Sequence, residues 1–130
     1  MRSHFLRDLP IDGKEAVLEE IPEFDFYDVR RVNKITWVDQ NSAEADRASI
    51  NMTLDVTYDD GKSGMFSPVQ IRCSGVKQVK LPDLGSAFWP SEIEVEEITH
   101  EQNENVRFRV RDFGGTSFEL LCAGIEVAIP

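Results

Sequence analysis

The sequence predicts a mainly β protein: an antiparallel sandwich or barrel of seven or eight strands with a short N-terminal helix. Three observations carry that expectation. From Phe26 onward apolar and polar side chains alternate with a period of two, which places them on opposite faces of extended chain. The alternating runs are short and punctuated by Gly, Pro, Asp and Asn, the residues that turns require. Helical spacing is confined to one brief stretch near the start.

That stretch is "DGKEAVLEEIPEFD". Asp12 is placed to cap a helix, Glu15 follows three residues later, and Ala16, Val17 and Ile21 lead to a stop at Pro22. Two turns at most fit there, and so short a helix persists only when packed. Residues 1–25 are therefore read as an irregular or short helical segment laid on the sheet of a single 1–130 domain. Its aromatic-acidic run, with Phe24, Phe26 and Tyr27 among five acids, is expected to pack against that sheet.

"FYDVRRVNKITWVD" reads as a long strand with an irregularity, and Trp37 within it is assigned to the core. "QNSAEADR" is a loop. In "ASINMTLDVTYDDGKSG", Ile50, Met52, Leu54, Val56 and Tyr58 face one way, while Asn51, Thr53, Asp55 and Thr57 face the other. "DDGK" supplies a tight turn. "MFSPVQIRC" continues the meander with Val69, Ile71 and Cys73 on one face; Pro68, which cannot donate to a ladder, marks an edge or a bulge. "SGVKQVKLP" and "EIEVEEITHE" are further strands. "NVRFRVRD" alternates Val106, Phe108 and Val110 against Arg107, Arg109 and Arg111. In "SFELLCAGIEVAIP" the register of Phe118, Leu120 and Cys122 gives way to that of Ile125, Val127 and Ile129, which calls for a bulge near Gly124.

Asp112-Phe113-Gly114 repeats the tripeptide with which protein kinases hold magnesium. None of its companions is present: no glycine-rich phosphate loop, no strand lysine, no catalytic-loop pair. Gly114 and Gly115 instead fit a hairpin turn. The three arginines then form the wet face of one strand, with Glu92, Glu94 and Glu96 of "EIEVEE" as cross-strand neighbours.

Fourteen Lys and Arg against 24 Asp and Glu give a net charge of −10, which repels nucleic-acid phosphates and anionic membrane surfaces. No run approaches the roughly 20 apolar residues that span a bilayer, and "MRSHFLRDLPIDG" lacks the apolar core of a signal peptide. A cytoplasmic protein is expected. Cys73 and Cys122 lie in apolar alternating runs, where buried free thiols are the default. His4 and His100 have no zinc-type spacing, and "DQNSAEAD" lacks the glycine and terminal glutamate of a calcium loop. No serine occupies a nucleophile elbow. The chain is thus expected to be no enzyme and to need no metal or cofactor.

Two stretches could belong to a binding surface: "SAFWPSEIEVEE", in which the aromatics Phe88 and Trp89 adjoin Glu92, Glu94 and Glu96, and "EEIPEFDFYD", for which packing on the sheet is the first expectation. The function expected from the residues is non-catalytic binding of another protein through an acidic face or the aromatic segment at Phe88 and Trp89. Two alternatives stand beside it. One is a small β-barrel that holds an apolar ligand or carries an unrecognised enzymatic site. The other is self-association, a homodimer formed through a sheet edge such as that near Pro68.

"FYDVRRVNKITW", "INMTLDV", "IRCSGVKQVKL" and "FELLCAGIEV" together resemble small bacterial all-β proteins, some of them associated with immunity to polymorphic toxins. The shared features are an early aromatic-x-Asp, a central Gly-Val and a closing Ile-x-Val strand, across about residues 26 to 129. The resemblance brings no catalytic residues. It implies a stoichiometric inhibitor that occludes a toxin, with an acidic surface facing a basic toxin domain.

Overall fold

The computed structural model describes residues 2–40, 49–61, 66–81, 93–98, 106–112 and 118–130. In chain order these residues form β1 (Arg2–Ser3), a 3-10 turn (Leu6–Asp8), α1 (Lys14–Glu20), a second 3-10 turn (Phe26–Asp28), β2 (Val29–Gln40), β3 (Ser49–Tyr58), β4 (Ser67–Ser74), β5 (Gln78–Lys80), β6 (Ile93–Glu97), β7 (Phe108–Asp112), β8 (Glu119–Cys122) and β9 (Gly124–Ala128). Apart from the two-residue β1, that makes eight strands among the described residues. They pair antiparallel throughout, in a five-stranded sheet of order β1-β6-β7-β8-β5 and a four-stranded sheet of order β2-β3-β4-β9. The sheets do not close into a barrel; the architecture is a sandwich.

The alternation of β3 is realised as read: Met52, Leu54, Val56 and Tyr58 are buried, and Asn51, Thr53, Asp55 and Thr57 face outward. Val69, Ile71 and Cys73 of β4 and Ile125 and Val127 of β9 line the same inner face. Ile93, Val95, Phe108, Val110, Leu120 and Cys122 meet them from the other sheet. Full burial of each large side chain contributes about 1.5–3 kcal/mol, and a dozen such side chains, Phe108, Phe118, Leu54 and Ile71 among them, retain less than 2% of their exposure.

The two sheets share one continuous ribbon. β4 leaves the four-stranded sheet at Ser74 and re-emerges as β5 in the other, while β8 crosses the opposite way into β9. The crossings stay paired: the Ala123 N–H donates to the Ser74 carbonyl at 2.9 Å, and the Lys77 N–H donates to that of Leu121 at 2.9 Å. Gly75 makes the turn with φ +59°, where an added Cβ would stand 2.9 Å from the Ala123 methyl. The break at Ala123 is the register change that the closing segment called for, and it sends Cys122 and Ile125 into one core from two sheets. Both cysteines are free and buried. A Cys122 hydrogen bond and then burial push the Cys73 thiol well above its ordinary range.

The N-terminal segment supplies part of the core through Leu6, Leu9, Ile11, Val17, Phe24 and Phe26. α1 has seven residues and buries only Val17. Its N-cap is Gly13 at φ +80°, not Asp12. The Asp12 backbone is instead used against β9, its N–H donating to Ile125 O at 3.2 Å and its carbonyl accepting from Val127 N at 2.9 Å. A side chain at position 13 would collide with the Val127 carbonyl, so glycine is the residue that allows so close an approach.

One further expectation is corrected and another narrowed. Trp37 is not in the core: it is 57% exposed. It does point to the inner side, opposite Met52. However, β2 is the outermost strand of its sheet, and here the second sheet no longer covers it. Pro68 marks an edge only locally, since β4 as a whole lies between β3 and β9. β9 pairs with β4 only from Gln70 to Ser74, so Pro68 occupies a stretch where β4 has no β9 partner to donate to. β7 and β8 pair antiparallel, with the Asp112 N–H donating to Phe118 O at 3.2 Å, as a hairpin requires; Gly114 and Gly115 lie outside the described residues.

Candidate functional site

The outer face of the five-stranded sheet carries alternating charge. Register places Glu94 opposite Arg111, Arg111 opposite Glu119, and Glu119 opposite Lys80, so sign alternates over four strands. Arg111 donates to Glu94 Oε1 at 3.0 Å, Arg109 lies 3.5 Å from Glu96, and Arg107 donates to Glu97 at 3.2 Å. Glu94 and Glu96 are cross-strand partners that the spacing suggested, whereas Arg107 takes Glu97 and not one of the three glutamates named; such pairs penalise any register slip. One differs in kind: the Glu94 side chain is only 1% exposed. Of the five residues singled out as an interface, Phe88, Trp89 and Glu92 lie outside the described residues. Glu94 and Glu96 are engaged by arginines of β7, and Glu94 does not present its charge to solvent.

A second group of carboxylates collects elsewhere. The turn at Pro22 brings the end of α1 and the segment before β2 against the end of β3, leaving an open groove of about 950 Å³. Glu20, Glu23, Asp25, Asp28 and Asp60 line it, along with Phe5, Ile21, Pro22, Tyr58 and Ser67. Within it His4 Nδ1 lies 2.9 Å from Asp25 Oδ1, and Arg30 reaches Asp28 Oδ1 at 3.4 Å. His4 stacks on Tyr27 at 4.5 Å between ring centres. Phe66, 69% exposed, directly precedes Ser67 in the groove wall.

Tyr58 is the floor of the groove. Its ring stacks on Phe24 at 4.7 Å. Its hydroxyl accepts from the Asp25 N–H at 3.3 Å and lies 3.5 Å from the Glu23 carbonyl and from Asp28 Oδ2. Burial, reinforced by the charges of Asp28, Asp25 and Asp60, pushes the phenol up to about 12. Burial and then the Asp25 charge also raise the Asp28 carboxyl above its usual range, against the pull of Arg30. A carboxylate held up in this way gains from any incoming cation. The groove thus sets several carboxylates beside the Tyr58 ring.

A second, shallower groove of about 340 Å³ lies on the outer face of the four-stranded sheet, among Asp12, Asn51, Thr53, Arg72 and Glu126. Its principal charges answer each other, since Arg72 donates to Glu126 Oε1 at 2.7 Å. Sequence reasoning recognised "EEIPEFDFYD" as acids mixed with aromatics. It could not show that Tyr58 and Asp60, thirty residues on, complete that cluster; the only signal was the acidic pair Asp59-Asp60 ending an alternating strand.

The family model described as Immunity protein PIM8 matches residues 16–128. No curated protein matches the chain, and no solved structure does. The matched span runs from within α1 through the last strand and includes the five carboxylates of the groove and the crossing of β4 and β8 between the sheets. The chain belongs to the Immunity protein PIM8 family.

Proposed function

We propose that this immunity protein is a non-catalytic, stoichiometric inhibitor that acts in the cytoplasm by binding a toxin with a basic contact surface and occluding it. The observation that carries the reading is the coincidence of family membership with an acidic groove inside the matched region. Five carboxylates in one groove of a chain with net charge −10 make a field that speeds encounter with a basic partner. Phe66 at the rim is the kind of exposed aromatic that anchors an interface once its surroundings are desolvated. The segment with Phe88 and Trp89 is a further contact in this proposal, on composition alone.

Calorimetric titration against the toxin domain encoded beside the gene tests it. Binding is expected with one-to-one stoichiometry, weakening as salt rises. The double variant Glu20→Gln/Glu23→Gln, which leaves Asp25, Asp28 and Asp60 in place, is expected to associate several-fold more slowly. Absence of binding at micromolar concentration refutes the reading. Hydrolysis or modification of the toxin in place of a lasting complex refutes its non-catalytic part.

A further inference from the structure

Three of the four sheet edges are blunted. β1 has two residues and β5 has three. The β9 edge is covered by Asp12, which donates to Ile125 O and accepts from Val127 N. The fourth is β2, with twelve residues, paired among the described residues only with β3. Its two halves differ. Bulges interrupt the register between Val29 and Arg31 and between Val32 and Lys34, and irregularity of that kind is a standard defence of an edge. From Lys34 to Gln40 the register is unbroken. Trp37 and Val38 there are exposed by 57% and 51% on opposite faces, and Ile50, opposite Asp39 on β3, is exposed as well. A regular edge of this length, bearing exposed apolar side chains and with no strand on its outer side among the described residues, is a template for another strand.

We propose that residues 35–40 of β2 are a strand-addition site that takes an extended strand of the toxin; this rests on the inhibitor reading above. The incoming strand carries apolar residues in the positions beside Trp37 and Val38, and a carboxylate where it passes Lys34. Lys34 is exposed at the start of this stretch. A second copy fits less well, because it would bring the same lysine and another net charge of −10. The site lies about 30 Å along β2 from the acidic groove at 3.3 Å per residue, far enough for the two contacts to be altered separately.

The test is hydrogen–deuterium exchange of the full chain, alone and with the neighbouring toxin domain, together with the affinity of Trp37→Ala/Val38→Lys. Amides of residues 35–40 are expected to become protected in the complex. The double variant is expected to melt like the parent and to bind about 30-fold more weakly or worse, the loss typical of an interface anchor. A complex that forms while these amides stay unprotected, or that the double variant matches within about threefold, overturns the proposal and leaves the inhibitor reading standing. No binding to the toxin overturns both. Protection of residues 35–40 in the chain alone, with a concentration-dependent dimer that Val38→Lys dissociates, assigns the edge to a second copy and overturns its assignment to the toxin.

Discussion

Arg111→Met should destabilise the protein far more than Glu94→Leu, although both remove the same ion pair. The asymmetry follows from burial: the Glu94 side chain is 1% exposed, whereas that of Arg111 is 35% exposed and can turn to water. Removing Arg111 takes the guanidinium from a buried carboxylate, which costs about 3 kcal/mol, the lower end of the range for broken buried pairs. The lower end applies because Arg109 remains on the same face two residues away. Unfolding entropy of about 2.1 cal/mol/K per residue over 130 residues makes that loss a fall in Tm of about 11 °C. Glu94→Leu fills the site with an apolar side chain and frees Arg111, costing about 1 kcal/mol or less. The double variant Arg111→Met/Glu94→Leu should therefore be more stable than Arg111→Met alone by about 2 kcal/mol. Urea denaturation of the four proteins, with equal m values, measures the cycle. Equal stability of Arg111→Met and the double variant would refute the argument, as would a larger loss for Glu94→Leu than for Arg111→Met.

Three more outcomes follow from the groove and the sheet corner. Because folding raises the Tyr58 phenol to about 12, its contribution is complete below an ordinary tyrosine pKa of about 10 and is lost as pH climbs from there toward 12. Alkaline melts should show this loss in the parent and not in Tyr58→Phe. Folding also raises the Asp28 carboxyl, so its ionised form opposes folding and the opposition is relieved as pH falls through its folded pKa. Asp28→Asn should melt above the parent at pH 7, with the gap closing on acidification; a gap that widens contradicts the assignment. Gly75→Ala forces a side chain into a left-handed backbone and against the Ala123 methyl, a cost of about 2 kcal/mol to be read from its denaturation midpoint.

How much of this was legible beforehand differs from element to element. Met52, Leu54 and Val56 alternate without interruption, and a period of two admits one conformation whatever surrounds it, so β3 could be placed to within a residue. The arginines of β7 and glutamates of β6 were legible as partners because opposite charges at matching spacing favour one pairing. Asp12 was misread as a cap because the same short side chain suits a cap, a turn or a bridge, and only the approach of β9 decided among them. Trp37 was misread because alternation tells which face a side chain takes but not whether anything covers that face. The acidic groove was half legible, in "EEIPEFDFYD", since its other half arrives with Tyr58 and Asp60 from another strand.

By itself the sequence determined the local states: which stretches extend, where they turn, which side chains share a face, and the net negative charge. These follow from short-range sterics and the alternation of side chains, which need no partner to be read. Tertiary structure alone decided which strands are neighbours, that β4 and β8 change sheets at Ser74 and Ala123, that Glu94 is buried while Trp37 is not, and that β2 pairs on one side only among the described residues. Each of these depends on contacts between residues far apart in the chain, where coverage by a second layer, not the identity of a residue, fixes burial and charge.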